Sequence, residues 1–231
     1  MIEMKDVSKA YQTGKVESKV LDQLSLTIKR GEYVLLTGRS GSGKSTILNI
    51  LSGVDQLTEG CVKINERLIT SLNEEELSQW RGRELGIIFQ FFQLIPTLSV
   101  IENILLPMDL IGVISVDKRE AKASELLKLV GLEKHRDKLP SALSGGEQQR
   151  VAIARSLANN ASIIIADEPT GNLDSANAEN IFQLLRELHG QGKTIVMVTH
   201  EKEMIPGATR RITLKDGCII EDIQVGGGHY V

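Results

Sequence analysis

Aromatic side chains are scarce in this chain. One Trp, three Tyr and four Phe make up 3% of its 231 residues, so few large rings are available to pack a core. Cysteine is scarcer still. The two present, Cys61 and Cys218, show neither metal-ligand nor disulfide spacing, which argues against a thiolate metal site or a disulfide framework. Both are expected to be free, half-buried thiols in a reducing compartment. No window approaches the roughly 18 apolar residues that a membrane span needs; the longest apolar stretches, such as SIIIA at 162–166, are strand-sized. The opening MIEMKDVSKAY carries acids and lacks an apolar core, so no secretory leader is expected. No long basic run occurs and net charge is −3, which speaks against nucleic acid as a partner. Internal repeats are absent, and 46–142 sustains no heptads.

What remains is ordinary for a chain that buries a core: 41% hydrophobic and 25% charged residues, at a length fitting one large domain or a domain with a subdomain. Residues 20–28 alternate as a half-buried strand, and after a turn at 30–32 comes the buried-strand pattern YVLLT at 33–37. A helix ended by Gly53 follows. Residues 61–64 and 68–69 flank Asn65-Glu66-Arg67 as a hairpin. Ser71 with Glu74 predicts a capping box, and Glu74, Glu75 and Glu76 suit a helix N-terminus. GIIFQ at 86–90 reads as a short strand, 98–139 as helical with a second box at Asp117 and Glu120, and 152–158 as helix. Strands at 163–167 and 194–199, a helix at 176–189 and an edge hairpin around 215–217 complete the pattern. Strands alternating with helices predict an α/β domain with a largely parallel sheet. The helical stretch at 92–140 reads as an insertion, and 226–231 as a flexible tail.

Gly38-Arg39-Ser40-Gly41-Ser42-Gly43-Lys44-Ser45 fits G-x-x-x-x-G-K-[ST], directly after a strand and directly before a helix. Glycines let successive backbone N–H groups turn toward phosphate oxygens, and the helix N-terminus adds positive potential. Lys44 is expected on the β- and γ-phosphates and Ser45 on Mg²⁺. Ile163 to Ala166 lead into Asp167 and Glu168. A strand's C-terminal end is where open α/β sheets place ligand chemistry. Asp167 is expected to hold Mg²⁺, and Glu168 to polarise the attacking water.

His200 and Gln90 end strands in the same way. His200 is either structural or a γ-phosphate contact, and Gln90 suits Mg²⁺ or the attacking water. Tyr11, upstream of the first hairpin, is either a base-stacking ring or core. LSGGEQQR at 143–150 offers a further anion nest, with Ser144, Gly145 and Gly146 at a helix start. One nucleotide is already accounted for, so this nest suits the phosphate held by another copy.

Taken together, these motifs resemble the nucleotide-binding subunits of ATP-binding-cassette (ABC) transporters, over residues 1 to about 223 and in family order. The resemblance implies a P-loop NTPase (RecA-like) core, with an N-terminal antiparallel β subdomain and an inserted α-helical subdomain. It implies one domain over 1–225: core at 1–90 and 160–225, helical subdomain at 92–140, signature and its helix at 141–159. Tyr11 is then similar to the adenine-stacking aromatic, 38–46 (to Thr46) to Walker A, and 163–167 to Walker B with Glu168 as base. Gln90 is similar to the Q-loop glutamine, Ser144 to Glu147 to the signature, Asp174 to the D-loop aspartate and His200 to the switch histidine. ATP and Mg²⁺ are the implied cofactors. Glu147 stands where Gln is frequent, and Gly171-Asn172-Leu173-Asp174 departs from Ser-Ala-Leu-Asp.

ADEPTGNLDS and SGSGKSTILNILSGVD resemble the MacB/LolD/FtsE branch. That branch implies a homodimer sandwiching two MgATP, peripheral on the cytoplasmic face of the membrane. It also implies a four-span permease with a large extracytoplasmic domain as partner, for export, lipoprotein release or efflux of antimicrobial compounds. The alternative within the branch is an FtsE-like mechanotransmitter that regulates cell-wall hydrolases without transport. The apolar run 91–96 is expected to receive a cytoplasmic helix of the permease against Phe92, Leu94 and Ile101, or else to be core. A DNA-repair ATPase would need long heptads or a basic groove, and a small-molecule kinase would lack the signature turn and the switch histidine.

Overall fold

The computed structural model describes residues 1–14, 16–200 and 205–225; the tail expected at 226–231 lies outside them. In chain order the strands and helices are β1 (Ile2–Thr13), β2 (Val16–Ile28), β3 (Tyr33–Gly38), α1 (Lys44–Leu51), β4 (Glu59–Ile64), β5 (Arg67–Leu68), α2 (Glu74–Glu84) and β6 (Leu85–Ile88). Then come α3 (Val100–Ile111), α4 (Val116–Leu129), α5 (Gly145–Ser156), β7 (Ile163–Asp167), α6 (Ser175–Gly190), β8 (Thr194–Val198), β9 (Arg210–Lys215) and β10 (Cys218–Gln224).

Two sheets result. One has six strands in the order β10-β9-β3-β8-β7-β6, parallel except for β10, which runs antiparallel to β9 at the edge. The other is antiparallel, in the order β2-β1-β4-β5. The long β1 is missed by the sequence reading because register shifts break its alternation, with Asp6 at φ 49° and, on β2, Gln23 at φ 45°. The 61–69 hairpin forms with Asn65 and Glu66 both at positive φ, the two-residue turn that matches strand twist.

The parallel strands read as continuous apolar runs because both faces are covered. Leu35, Ile164, Ala166, Ile195 and Met197 face a core shared with α3, α4, α5 and α6. Val34, Leu36, Ile163, Ile165, Val196 and Val198 face a second core shared with α1, α2 and the antiparallel sheet. Period-two alternation therefore assigns successive residues to different cores. The helical stretch α3–α4 joins the first core through Val100, Ile104, Met108, Leu126 and Leu127.

Neither expected capping box forms: the first shifts by two residues and α4 has no side-chain cap. Asn73 with Glu76 caps α2, and Ser99 with Glu102 caps α3. Ser71 lies in a 3₁₀ turn. Ser115, whose side chain caps nothing, precedes α4, so Asp117 is already inside the helix. The thiols are free, Cys61 half-buried but Cys218 exposed, since β10 is an edge strand.

Candidate functional site

Residues 38–46 turn between the end of β3 and the start of α1. Gly38 has φ 146°, and a Cβ there would stand 2.3 Å from the carbonyl oxygen of Leu214 on β9, so only glycine fits. The N-cap of α1 is Gly43, which offers no capping side chain, so the first-turn N–H groups stay available. The buried Lys44 ammonium crosses the loop and donates to the carbonyl oxygens of Gly38 at 2.9 Å and Arg39 at 3.0 Å. Burial lowers its pKa, against the opposing pull of Glu168 and Asp167. Ser42 Oγ is buried with no hydrogen-bond partner among the described residues.

The sheet brings three further strand ends to this loop. Asp167 ends β7, and the Ser45 hydroxyl reaches its Oδ1 at 3.5 Å. Burial raises the Asp167 pKa first and the neighbouring Glu168 adds to it, while Ser45, Lys44 and His200 pull the other way. Glu168 adopts φ 46°, an uncommon conformation for a residue with a side chain. It is anchored by its N–H on the carbonyl of Val198 at 3.0 Å. Beyond β8, His200 Nε2 lies 2.7 Å from Glu168 Oε1. Gln90 sits in the turn after β6, and a Cβ built on Gly171 would be 2.9 Å from its Nε2 and 3.4 Å from Glu168 Oε2, so both side chains border one spot.

An open cavity of about 260 Å³ is lined by Ser40, Gly41, Gly43, Lys44, Ser45 and Thr46 together with Tyr11, Glu168 and His200. Tyr11 is not upstream of the first hairpin, as the sequence suggested. It lies within it, on β1 opposite Ser18, and it is 39% exposed, not a core ring.

Ser144 to Glu147 do not line this cavity. Ser144 is the N-cap of α5, and Glu147 closes a capping box on it, accepting from the Ser144 N–H at 2.7 Å and its hydroxyl at 2.8 Å. Those bonds hold the Glu147 carboxyl below its usual pKa, the backbone N–H contributing most. Within the expected nest, Ser144's donors are therefore engaged, and Glu147 is a cap. Gly145 and Gly146 begin the helix, where N–H groups lack intrahelical partners. Gly146 has a second reason to be glycine: a Cβ would meet Asn177 Oδ1 of α6 at 2.3 Å. Asp174 caps α6 by accepting from the Asn177 N–H at 2.9 Å, away from the cavity.

Part of the segment expected to receive a permease helix is core instead, the alternative the sequence left open. Ile101 is 5% exposed and in the core, and Leu94 packs against that core. Phe91, at 69%, is the most exposed ring of the segment, with Phe89 and Ile95 beside it in sequence. Sequence reading missed two α5 residues that hold the neighbouring loops. Gln149, fully buried, donates to the Pro169 carbonyl at 2.7 Å. Arg155 grips the carbonyls of Phe92 and Gln93. An Arg directly after the apolar run Val151 to Ala154 was the available signal for Arg155, while Gln149, between Gln148 and Arg150, carried none.

The family model described as ABC transporter matches residues 21–171. The chain is 45% identical over 224 residues to the macrolide export ATP-binding/permease protein MacB of Mannheimia succiniciproducens, covering 97% of this chain and 35% of that protein. It thus spans about a third of the MacB relatives it matches. It is 46% identical to an ABC transporter ATP-binding protein of Thermotoga maritima, covering 100% of this chain and 97% of the other. Among solved structures it resembles the dimeric post-hydrolysis state of the ATP-binding cassette MJ0796 bound to ADP and Pi. The TM-score is 0.90 at 44% identity, covering 99% of this chain and 100% of that one.

Proposed function

Because the chain belongs to the ABC transporter family and is one of its ATPase domains, we propose that it hydrolyses ATP between two copies of itself and drives a MacB-type membrane permease. The observation that carries the chemistry is the 2.7 Å Glu168–His200 contact on strand ends facing the P-loop. In this reading Glu168 orients and deprotonates the attacking water, with its carboxylate held by a left-handed backbone that leaves little freedom. His200 fixes that carboxylate and contacts the γ-phosphate. Lys44 exchanges two carbonyl partners for phosphate oxygens, which keeps the ammonium satisfied in both states. Tyr11 stacks on the base.

Ser45 and Asp167 are a hydroxyl and a carboxylate aimed at each other, with Asp167 disfavoured as an anion by its burial. That oxygen pair fits a divalent cation, and in this reading Gln90 joins it as a further ligand. Mg²⁺ bound there would neutralise charge on the β- and γ-phosphates. Catalysis then rests on positioning and charge stabilisation.

The signature lies outside the cavity of its own chain, and the N–H groups of Gly145 and Gly146 head a helix that carries no phosphate contact there. A second copy facing it head to tail supplies the phosphate, and MJ0796 is a dimer. None of the described helices is long and apolar enough to cross a membrane; in this reading attachment runs through the permease. Phe91 and Phe89 are the contact side chains, next to a groove of about 320 Å³ lined by Phe89, Gln93, Pro107 and Arg155.

The test is a tagged Glu168→Gln chain expressed in native membranes with ATP, gently solubilised and analysed for what co-purifies. Turnover should fall about 10²–10⁴-fold, the usual worth of a general base, with ATP retained in a dimer and a four-span permease recovered. Nucleic acid, or no membrane protein, would overturn the permease assignment and leave the ATPase standing.

A further inference from the structure

The best-partnered polar cluster at the rim of the cavity surrounds Tyr11. Its hydroxyl donates to Asp55 Oδ2 at 2.5 Å and also hydrogen-bonds the Thr46 side chain. Lys9 donates to Asp55 Oδ1 at 2.6 Å and to the Gln56 carbonyl at 2.5 Å. Lys9 and Tyr11 are two apart on β1 and so share a face of the sheet, and the Lys9 ammonium stands 4.6 Å from the Tyr11 ring centroid. The Lys9 and Asp55 side chains are 11% and 25% exposed, so this pair is shielded enough to hold one geometry, unlike a freely solvated one.

Asp55 is itself tied to the helix that begins at the phosphate loop. Its N–H and that of Val54 both donate to the Asn49 carbonyl of α1, at 3.2 and 2.9 Å. Thr46 sits in the first turn of that helix and Asp55 just past its last. The phenol is therefore anchored to the loop that follows α1 and lies beside Thr46 at its start. The Asp55 bond thus ties the ring to the loop that follows the helix begun at the phosphate cradle, and the ammonium draws π density from the ring.

We propose that Lys9 and Asp55 are positioning residues for the nucleobase, fixing the Tyr11 ring by its hydroxyl and one face so that the other face meets the base at a set distance from the phosphates. This rests on reading Tyr11 as the base platform. Neither residue touches the nucleotide, and each acts through Tyr11. A mere staple between β1 and the loop after α1 would change stability, not the contribution of the base to affinity.

The experiment uses the full chain with Lys9→Met, Asp55→Ala, Tyr11→Phe and Tyr11→Ala, measuring kcat and KM for ATP. Inorganic tripolyphosphate, which has no base, serves as the competing probe. Lys9→Met, Asp55→Ala and Tyr11→Phe should each raise KM for ATP about three- to tenfold, the net worth of one hydrogen bond. Lys9→Met and Asp55→Ala should leave kcat and the tripolyphosphate inhibition constant unchanged. In a Tyr11→Ala background Lys9→Met should add nothing further. If Tyr11→Ala raises KM and the other variants do not, the ring works without its clamp and the proposal is overturned while the platform reading survives. If Tyr11→Ala leaves KM unchanged, the platform reading itself has failed. Parallel weakening of tripolyphosphate would make the cluster a support of the cradle, which also overturns it.

Discussion

Arg155 Nη2 on α5 donates to the carbonyl oxygen of Phe92 at 2.8 Å, and its Nη1 to that of Gln93 at 2.5 Å. Phe92 and Gln93 have φ values of 54° and 55°, two successive side-chain-bearing residues in the left-handed region. Such a backbone persists only when its surroundings hold it. The guanidinium fork supplies that hold, and it extends from the same helix whose first residues are the signature glycines.

Arg155→Met should therefore leave two carbonyls without their donor and destabilise the fold by about 2–4 kcal/mol. Residues 91–95 should exchange their amide hydrogens faster than the rest of the chain. Arg155→Lys should fall between the two, since a point charge does not span both carbonyls as the fork does. Equal exchange in wild type and Arg155→Met would show that the loop holds itself.

Gly146→Ala brings a methyl to 2.3 Å from Asn177 Oδ1. A loss of about 1–3 kcal/mol is expected from overpacking, read as a lower denaturation midpoint with an unchanged m-value. Truncating the obstacle in a Gly146→Ala/Asn177→Ala double variant should recover part of it. Without recovery, the glycine serves something other than the α5–α6 approach.

Asp167 titrates above its ordinary value because it is buried beside Glu168. The folded chain then holds a proton that the unfolded chain has already released. Stability from this group falls as pH rises from the usual carboxylate range through the raised value. Asp167→Asn should flatten that part of the Tm-versus-pH curve and, without nucleotide, raise Tm at neutral pH while abolishing Mg²⁺-dependent turnover. A lower Tm at neutral pH would mean that the Ser45 bond outweighs the burial cost.

Ser99→Ala removes the α3 cap, in which the Ser99 hydroxyl accepts from the Glu102 N–H and donates to the Glu102 carboxylate, and keeps the bond from the residue 99 N–H to Glu102. About 1 kcal/mol should be lost, measured by urea denaturation. Asp117→Ala, inside α4 at the place the sequence suggested for a cap, should cost less.

The phosphate loop, the strand ending in Asp167 and Glu168, and the order of buried strands were legible from the sequence. Each is a local signal: glycines at fixed offsets, an apolar run, a turn. β1 was not legible, because its alternation is interrupted where the register shifts. The cap at Asn73 was missed because one short pattern fits neighbouring positions, and only the observed helix start decides between them; Ser99 was missed because the long helical stretch was read without the break between α3 and α4. Lys9 and Asp55 lie 46 residues apart and look like ordinary surface charges until the sheet and α1 bring them to Tyr11.

The sequence by itself determined the side chains on offer: a glycine-rich loop with its lysine, an acid pair, a histidine and a second glycine turn at a helix start. Tertiary structure decided which of these meet. Parallel pairing of β3, β8, β7 and β6 brings Glu168 and His200 to the loop, while Ser144 and Asp174 become caps of helices that start elsewhere. The physical reason is range. A loop's conformational freedom and a strand's pattern are set by neighbours in the chain, but the meeting of strand ends is set by sheet order, which depends on burying both faces at once.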